Sequence, residues 1–141
     1  MSEVASIPRG FHTVTPYLYV KNAKQFIEFA QGAFGAQEIS YHDLGNGHVH
    51  AEIKIGDSMI MIGQTEPAPA SIYLYVHDVD AVYNRAVEAG AKSVEGPTDK
   101  PYGDRSAWVT DASGITWFIA RRIEDVSDEE IANRMKAGNS S

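Results

Sequence analysis

The chain has 141 residues, of which 43% are hydrophobic and 22% are charged, and its formal net charge is −7. This size and composition are typical of one globular domain that buries a core. The acidic balance argues against nucleic acid and anionic membranes as partners, because both are bound mainly through Lys and Arg.

Two further classes are disfavoured by the sequence. No apolar run reaches the roughly 20 residues that cross a bilayer, and residues 1–9 lack the apolar centre of a secretory signal. The chain has no Cys, which excludes disulfides, thiolate nucleophiles and Cys-ligated zinc and fits a reducing compartment. We therefore expect a cytoplasmic protein.

The first half of the chain predicts one helix among four strands. Residues 1–10 contain Pro8 and Gly10 and predict a flexible lead-in. Asn22 is a helix cap, and the apolar residues after it recur at helical spacing as far as Gly35. The other segments alternate between apolar and polar residues, as half-buried strands do. The predicted elements are strand 11–20, helix 23–34 and strands 37–43, 48–55 and 58–62.

The second half follows a linker at residues 65–70 and predicts the same order of elements. Its predicted elements are strand 71–76, helix 79–89, strand 92–95, a long loop at 96–105 and strands 106–110 and 115–120. Residues 127–130 form a capping box that opens a short helix ending at about residue 135. We therefore expect a single domain at 11–126, with modules at about 11–64 and 71–123. A C-terminal helix at 127–137 and a frayed tail from Gly138 to Ser141 should follow it.

The two halves also share sequence. Leu18-Tyr19-Val20 recurs as Leu74-Tyr75-Val76, and the helix of each half ends in Gly-Ala, at residues 35–36 and 90–91. Because order and spacing both match, the sequence indicates a duplicated βαβββ module.

The predicted strand 48–55 has an apolar face and a titratable face. Residues 49, 51, 53 and 55 are apolar, whereas His48, His50, Glu52 and Lys54 alternate with them. The predicted strands 11–20 and 71–76 repeat this arrangement, with Tyr17, Tyr19, Tyr73 and Tyr75 on the side away from the core. Tyrosine combines an apolar body with a polar group, so this shared face favours a ligand-lined cleft over a plain solvated surface.

These patterns resemble those of the vicinal oxygen chelate superfamily, which includes glyoxalase I, bleomycin-resistance proteins and extradiol dioxygenases. The resemblance is closest to the PhnB-like branch and covers roughly residues 8 to 135. The matching residues are 13–18 (TVTPYL), 33–36 (AFGA), 50–53 (HAEI), 55–58 (IGDS), Met61, 75–76 (YV), 78–80 (DVD), 89–91 (AGA), 102–105 (YGDR) and Trp117.

This resemblance implies an α+β fold. Two βαβββ modules would form a cup-shaped, incompletely closed mixed sheet around a cleft, with helices on the outer face, commonly in a homodimer. Metal-dependent members place four ligands on the cleft face, and these positions carry over to Thr15, Glu52 beside His50, Ser71 and Phe118. Only Glu52 is a good metal ligand, so we expect a degenerate metal site and no cofactor; a divalent ion held by Glu52, with or without His50, would bind weakly.

Two groups of candidate residues remain open to two interpretations. His50 and Glu52, whose Cα atoms lie roughly 6.5 Å apart on a strand, are an acid–base pair or a hydrogen-bonded pair that only solvates the cleft. In one interpretation the loop at 100–105 is a lid that brings Tyr102 and Arg105 to the ligand. In the other, Asp104 and Arg105 only stabilise the loop. The predicted ligand-binding residues are Thr15, Tyr17, Tyr19, Ser71, Tyr73, Tyr102, Arg105 and Phe118.

Three functions follow from these residues. The first is a PhnB-like protein that binds a small organic molecule without the family's metal. The second is a metal-dependent lyase, isomerase or dioxygenase that uses Glu52. The third is a metal-free enzyme in which His50 and Glu52 transfer protons. The sequence does not identify the ligand.

Overall fold

The computed structural model describes residues 5–139, which form eight strands and three helices. The first module contains β1 (Tyr17–Val20), α1 (Ala23–Phe34), β2 (Gln37–Gly45), β3 (His48–Ile55) and β4 (Ser58–Gln64). The second contains β5 (Ala70–Tyr75), α2 (Val79–Glu88), β6 (Lys92–Asp99), β7 (Asp104–Thr110) and β8 (Ile115–Arg122), and α3 (Asp128–Asn139) follows it.

The strands pair into two open four-stranded sheets with the same topology. Sheet one has the order β1-β4-β3-β2 and sheet two the order β5-β8-β7-β6. In each sheet the first strand of the module lies parallel to the last, and the other pairs are antiparallel. The duplicated βαβββ module and the α+β class predicted from the sequence are thereby confirmed.

Helices α1 and α2 join the two modules in one core. The Asn22 side chain accepts a hydrogen bond from the backbone N–H of Gln25, and the Asp78 side chain accepts one from Ala81, so both helices begin at the predicted caps. The two helices contact each other; α1 also contacts β3 and β4, and α2 contacts β6, β7 and β8. Trp117 of β8 is fully buried, with its ring 4.5 Å from that of Phe34 in α1.

One face of each sheet is therefore covered by helices and the other is not. In β3, Val49, Ala51, Ile53 and Ile55 are all buried, and the residues between them are not. The alternation read from the sequence is confirmed, because a strand that packs against helices on one side must point every second side chain toward them.

The prediction of a long loop at residues 96–105 is wrong. Strand β6 continues to Asp99 and β7 begins at Asp104, so only residues 100–103 connect them. Pro97 suggested a loop, but β6 is the outer strand of sheet two, where a missing N–H donor is tolerated.

Only the last four residues of the first strand, which was predicted at 11–20, form β1. Residues 11–16 precede β1, and the Thr15 hydroxyl donates to the backbone oxygen of His12, a local contact that replaces strand pairing there. The C-terminus also differs from the prediction, because α3 extends into the predicted tail as far as Asn139. One Gly costs about 1 kcal/mol in a helix and does not by itself end it.

Residues 1–4 of the predicted lead-in and 140–141 of the predicted tail lie outside the described residues. None of the helices formed by residues 5–139 is both long and apolar enough to cross a membrane.

Candidate functional site

Several side chains lie on the uncovered face of sheet one. We define the sheet-one face by five of them, from three strands: Tyr17, Tyr19, Ser40, His50 and Glu52. Strand register places Tyr17 beside Met61 of β4, Met61 beside Glu52 of β3, and Glu52 beside Ser40 of β2. The predicted residues Tyr17, Tyr19, His50 and Glu52 therefore share one face.

On this face, His50 and Glu52 each have a separate partner. Tyr17 Oη lies 3.2 Å from His50 Nδ1, and the Ser40 hydroxyl donates to Glu52 Oε1 over 2.8 Å. The two residues are thus neighbours, each held by another side chain rather than by a bond between them. A Tyr hydroxyl can set the orientation and tautomer of an imidazole, which is the part of acid–base chemistry that this arrangement supplies.

Gly63 makes room for the Tyr17 ring. A Cβ built on Gly63 would lie 3.0 Å from ring atoms of Tyr17, so the ring rests on the bare backbone of β4. Gly63 was not predicted to have this role, because the strand predicted at 58–62 ended before it; a Gly inside a strand often marks such a close approach.

The uncovered face of sheet two, the sheet-two face, consists of Tyr73, Tyr75, Asp104, Trp108, Phe118 and Arg122. Its rings pack against one another: Tyr73 stacks on Phe118 with centroids 5.5 Å apart, and Trp108 meets Phe118 edge-on at 5.0 Å. The sequence analysis missed Trp108, which is 39% exposed. Phe118 and Tyr73, which it did predict, lie side by side in β8 and β5.

Asp104 is the centre of a polar cluster on this face. It is only 2% exposed, and its two carboxylate oxygens accept separate hydrogen bonds, from Tyr73 Oη at 2.6 Å and from Arg122 Nε at 2.8 Å. Buried carboxylates need such partners because an unpaired charge costs several kcal/mol. The sequence offered Asp104 only as a loop-stabilising residue, and its real partners lie far away along the chain.

This cluster keeps Tyr73 protonated. Burial raises the pKa of Tyr73 above its ordinary value, and the hydrogen bond to Asp104, the charge of Asp104 and the neighbouring Tyr102 raise it further. The carboxylate of Asp104 likewise raises the pKa of Arg122, with a smaller contribution from Tyr75. The sheet-two face thus presents a phenol and a half-exposed guanidinium fixed by one buried carboxylate.

The segment predicted as a lid is tied to the C-terminal part of the chain. The Gly103 carbonyl accepts hydrogen bonds from the backbone N–H groups of Ile123 and Glu124, at 2.8 and 3.1 Å. In α3, Arg134 donates to the carbonyl of Pro101 and pairs with Glu124. A connection held this way is a fixed part of the fold, and it carries Tyr102 next to Tyr73.

Arg105, one of the predicted ligand-binding residues, does not lie on the tyrosine-bearing face of sheet two. Its guanidinium pairs with Asp80 of α2 and with Asp99 of β6, each at 3.0 Å. Because β7 begins at Asp104, two residues earlier than predicted, Asp104 and Arg105 are adjacent strand residues and point to opposite sides of sheet two. These two ion pairs link β7 to α2 and β6.

Register also corrects one of the four positions carried over from the family. Tyr17 pairs with Met61 just as Tyr73 pairs with Phe118, so Met61 of β4, and not Glu52 of β3, is the counterpart of Phe118. Thr15 precedes β1, and Ser71 is exposed in β5.

These positions do not fit the family's metal centre. Phe and Met side chains are poor ligands for a hard divalent ion, the Thr15 hydroxyl donates to His12, and Glu52 is bonded to Ser40. Between residues 5 and 139, no three His, Asp or Glu side chains converge as metal ligands would.

Two cavities flank the outer edge of β5. One of about 550 Å³ is lined by Phe34, Ile55–Ser58, Tyr73–Asp78, Val82 and Arg85. The other, of about 420 Å³, is lined by His12, Val14–Pro16, Ile55, Asp57–Ile60, Ile72–Leu74 and Trp117. Tyr73 lines both cavities and Tyr75 lines the first, but neither cavity includes His50, Glu52, Asp104 or Arg122. We therefore place the candidate site on the two tyrosine-bearing faces, where the polar clusters lie, and not in these cavities.

Comparisons with known proteins agree with this architecture. Residues 10–119 match the family described as the Glyoxalase/Bleomycin resistance protein/Dioxygenase superfamily. The uncharacterized proteins Mb0911c of Mycobacterium bovis and Rv0887c of Mycobacterium tuberculosis are each 30% identical to this chain. Both alignments cover 88% of this chain, with 92% of Mb0911c and 82% of Rv0887c.

Three solved structures show the same fold. TioX from Micromonospora sp. ML1 matches with a TM-score of 0.69 and 23% identity, and the match covers 79% of this chain and 99% of TioX. A superfamily member from Sphaerobacter thermophilus matches with a TM-score of 0.64 and 17% identity, over 78% of this chain and 96% of that one. Glyoxalase I from Zea mays matches with a TM-score of 0.66 and 14% identity, over 78% of this chain and 44% of that one. At these identities the likeness extends to the fold alone, but the family match covers most of the sequence. The chain belongs to the Glyoxalase/Bleomycin resistance protein/Dioxygenase superfamily.

Proposed function

We propose that this protein is a PhnB-like member of the superfamily that binds a small organic molecule between a sheet-one face and a sheet-two face, without the family's metal. One observation carries the proposal: four tyrosines, each between 41% and 60% exposed, lie on the two faces beside polar clusters. Large aromatic area left in water beside convergent polar groups is characteristic of binding sites.

We further propose that each cleft forms between two copies of the chain. Within residues 5–139, no strand pairing joins sheet one to sheet two, and each sheet turns its other face toward the shared α1–α2 layer. The two tyrosine-bearing faces of one copy therefore point away from each other. A cleft lined by both kinds of face needs sheet one of one copy and sheet two of another, as in an isologous dimer.

A second candidate function is a metal-free enzyme in which His50 and Glu52 transfer protons. The contact between Tyr17 and His50 favours it, because an oriented imidazole is the usual general base near neutral pH. Conversion of a bound ligand that survives chelators and is lost in His50→Ala would favour this candidate over binding alone.

The proposal is tested with N-phenyl-1-naphthylamine, a neutral aromatic dye that fluoresces in apolar sites. We expect saturable binding to wild type and weak binding to Y17A/Y19A and to Y73A/Y75A. A heterodimer of these two variants, isolated through two different affinity tags, regains one intact cleft. It should therefore bind about half as much dye as wild type, with the wild-type dissociation constant.

Three results would contradict the proposal. One is a wild-type protein that binds no dye. Another is a chain that sediments as a monomer, or a heterodimer that binds no better than its parent variants. The third is a stoichiometric metal in the purified protein that is lost in Glu52→Ala, since the proposal assigns no metal to this residue.

A further inference from the structure

We propose that the ligand is an aromatic acid whose rings lie on the sheet-two face and whose anionic group is bound by Arg122. This inference rests on the proposed function and specifies the chemical class of ligand that the cleft accepts. The observation behind it is that a row of aromatic rings lies on the same face as a guanidinium, which a buried carboxylate holds in place.

Arg122 is positioned to bind an anion that approaches from solvent. Its side chain is half-exposed, and Asp104, its partner, is almost fully buried behind it. Asp104 accepts the Nε–H, which fixes the plane of the guanidinium, and the Tyr75 hydroxyl also interacts with it. The terminal nitrogens carry four N–H donors, more than these contacts use. The contact of one of them with Asp125 is 3.9 Å long, and Asp125 is fully exposed, so water or a ligand readily replaces it.

The rings beside Arg122 form a surface for a planar body. Trp108, Phe118 and Tyr73 pair directly across β7, β8 and β5, which makes a transverse row with neighbouring strands about 4.8 Å apart. Ring contacts such as these favour stacking with a further aromatic group. Arg122 lies four residues beyond Phe118 on the same side of β8, roughly 13 Å along the strand.

The phenol of Tyr73 crosses the space between the rings and the guanidinium, because it reaches from β5 over β8 to Asp104 of β7. Ala120 lies midway between Phe118 and Arg122 on β8, and its neighbour across to β7 is Ser106. Both side chains are small and buried. A ligand of two or three fused or linked rings with a terminal acidic group would span this distance, whereas a single-ring acid would reach only one end.

The charges of this face favour an acid over an aromatic cation. The carboxylate of Asp104 already accepts from Tyr73 and Arg122, and Glu95, across from Trp108, pairs with Lys100. The positive group facing solvent is therefore the one left to bind a ligand. Because the whole chain carries a net charge of −7, the preference for an anion must arise locally.

The test compares two dyes that share their ring system. 1-Anilinonaphthalene-8-sulfonate differs from N-phenyl-1-naphthylamine by one sulfonate. We expect wild type to bind the sulfonate dye about ten-fold more tightly, as is typical of one charge-assisted contact. Arg122→Gln should remove this preference, so that the ratio of the two dissociation constants falls to about one.

Matched variants separate recognition from folding. Arg121→Gln is the control, since Arg121 is the preceding residue of β8 and its guanidinium donates to the His77 carbonyl. It should keep the full preference for the sulfonate dye. Arg122→Lys keeps a positive partner for Asp104, and it should retain part of the preference if Arg122→Gln fails to fold.

The outcomes distinguish this inference from the function on which it rests. Equal affinity of wild type for the two dyes, or equal losses in Arg121→Gln and Arg122→Gln, would overturn the assignment of an acid while leaving a binding cleft. Retention of the full preference in folded Arg122→Gln would also overturn it. A wild type that binds neither dye would contradict the proposed function itself.

Discussion

The two modules have the same topology but carry different chemistry on their uncovered faces. Tyr17 and Tyr73 occupy equivalent positions, and so do Tyr19 and Tyr75. Next to them the side chains diverge: Glu52 in β3 occupies the position that Trp108 has in β7. The duplication thus retained the aromatic residues of the first strand and changed the residues two strands away.

The two faces also differ in how their polar groups are held. On the sheet-one face, the side chains make two separate contacts, Tyr17 with His50 and Ser40 with Glu52. On the sheet-two face, one buried carboxylate fixes Tyr73 and Arg122 together. Groups in the first arrangement are held in separate pairs, whereas those in the second are fixed by the cost of unpairing a buried charge. In the cleft proposed above, sheet two would supply the more firmly held groups.

The largest expected effect comes from disrupting the contact between the connection at 100–103 and the C-terminal segment. Gly103 has φ +99, and a Cβ there would lie 2.2 Å from the Glu124 carbonyl oxygen. Gly103→Ala should cost about 3 kcal/mol of unfolding free energy, from backbone strain plus the lost hydrogen bonds to residues 123 and 124. Urea unfolding measures this loss.

The control for Gly103→Ala comes from the first module. Gly47 also has positive φ, at +79, but no atom lies within 4 Å of its Cβ position. Gly47→Ala should cost only about 1 kcal/mol, the strain alone. Equal losses for the two variants would mean that the connection at 100–103 is not held against the C-terminal segment.

Exchanging each carboxylate for its amide compares the two polar clusters directly. Asp104→Asn removes the charge that holds Arg122 and should cost about 2 kcal/mol, because the site is buried. Glu52→Gln keeps an oxygen for the Ser40 hydroxyl at a half-buried position and should change the unfolding free energy by less than about 0.5 kcal/mol. Urea unfolding of both variants at neutral pH checks this, and a larger loss for Glu52→Gln would reverse the contrast.

The smallest expected effect is a dependence of stability on alkaline pH. Because the pKa of Tyr73 is raised in the folded chain, its stabilising contribution is complete below the ordinary value of 10.0 and is lost as the pH rises beyond it. Between about pH 8 and about pH 10.5, wild type should lose more stability than Tyr73→Phe does. Unfolding at the two pH values measures the difference.

A matched control for this effect is Tyr41→Phe, which removes a phenol from β2. It should lose as much stability as wild type over the same pH range. If Tyr73→Phe and Tyr41→Phe behaved alike, the link between Asp104 and Tyr73 would not be the cause. Absorbance at the phenolate band should also show one fewer late-titrating tyrosine in Tyr73→Phe.

Much of the architecture could be predicted because it depends on local patterns. Helix α1 was predicted with both ends correct, since Asn22 caps it and Gly35 follows it. Strand β3 was also correct, because Gly turns bound it on both sides. The loop at 96–105 was predicted wrongly, because Pro97 is compatible with both a loop and an outer strand.

The site was predicted in part for a related reason. Alternation is enough to place Tyr17, His50 and Glu52 on one face of one sheet. It does not show which side chain bonds to which, so the pairing of His50 with Tyr17 rather than Glu52 required the strand register. The register likewise replaced Glu52 by Met61 as the counterpart of Phe118.

By itself, the sequence determined that the chain is a duplicated βαβββ protein with a tyrosine-bearing face in each module. Periodicity, helix caps and turn residues act within a few positions, so they can be read along the chain. Only the tertiary structure decided that Asp104 lies buried between Tyr73 and Arg122, and that the connection at 100–103 is held by Arg134. Those partners are 31, 18 and more than 30 residues apart. Contacts at such separations depend on strand order and register, which local patterns do not encode.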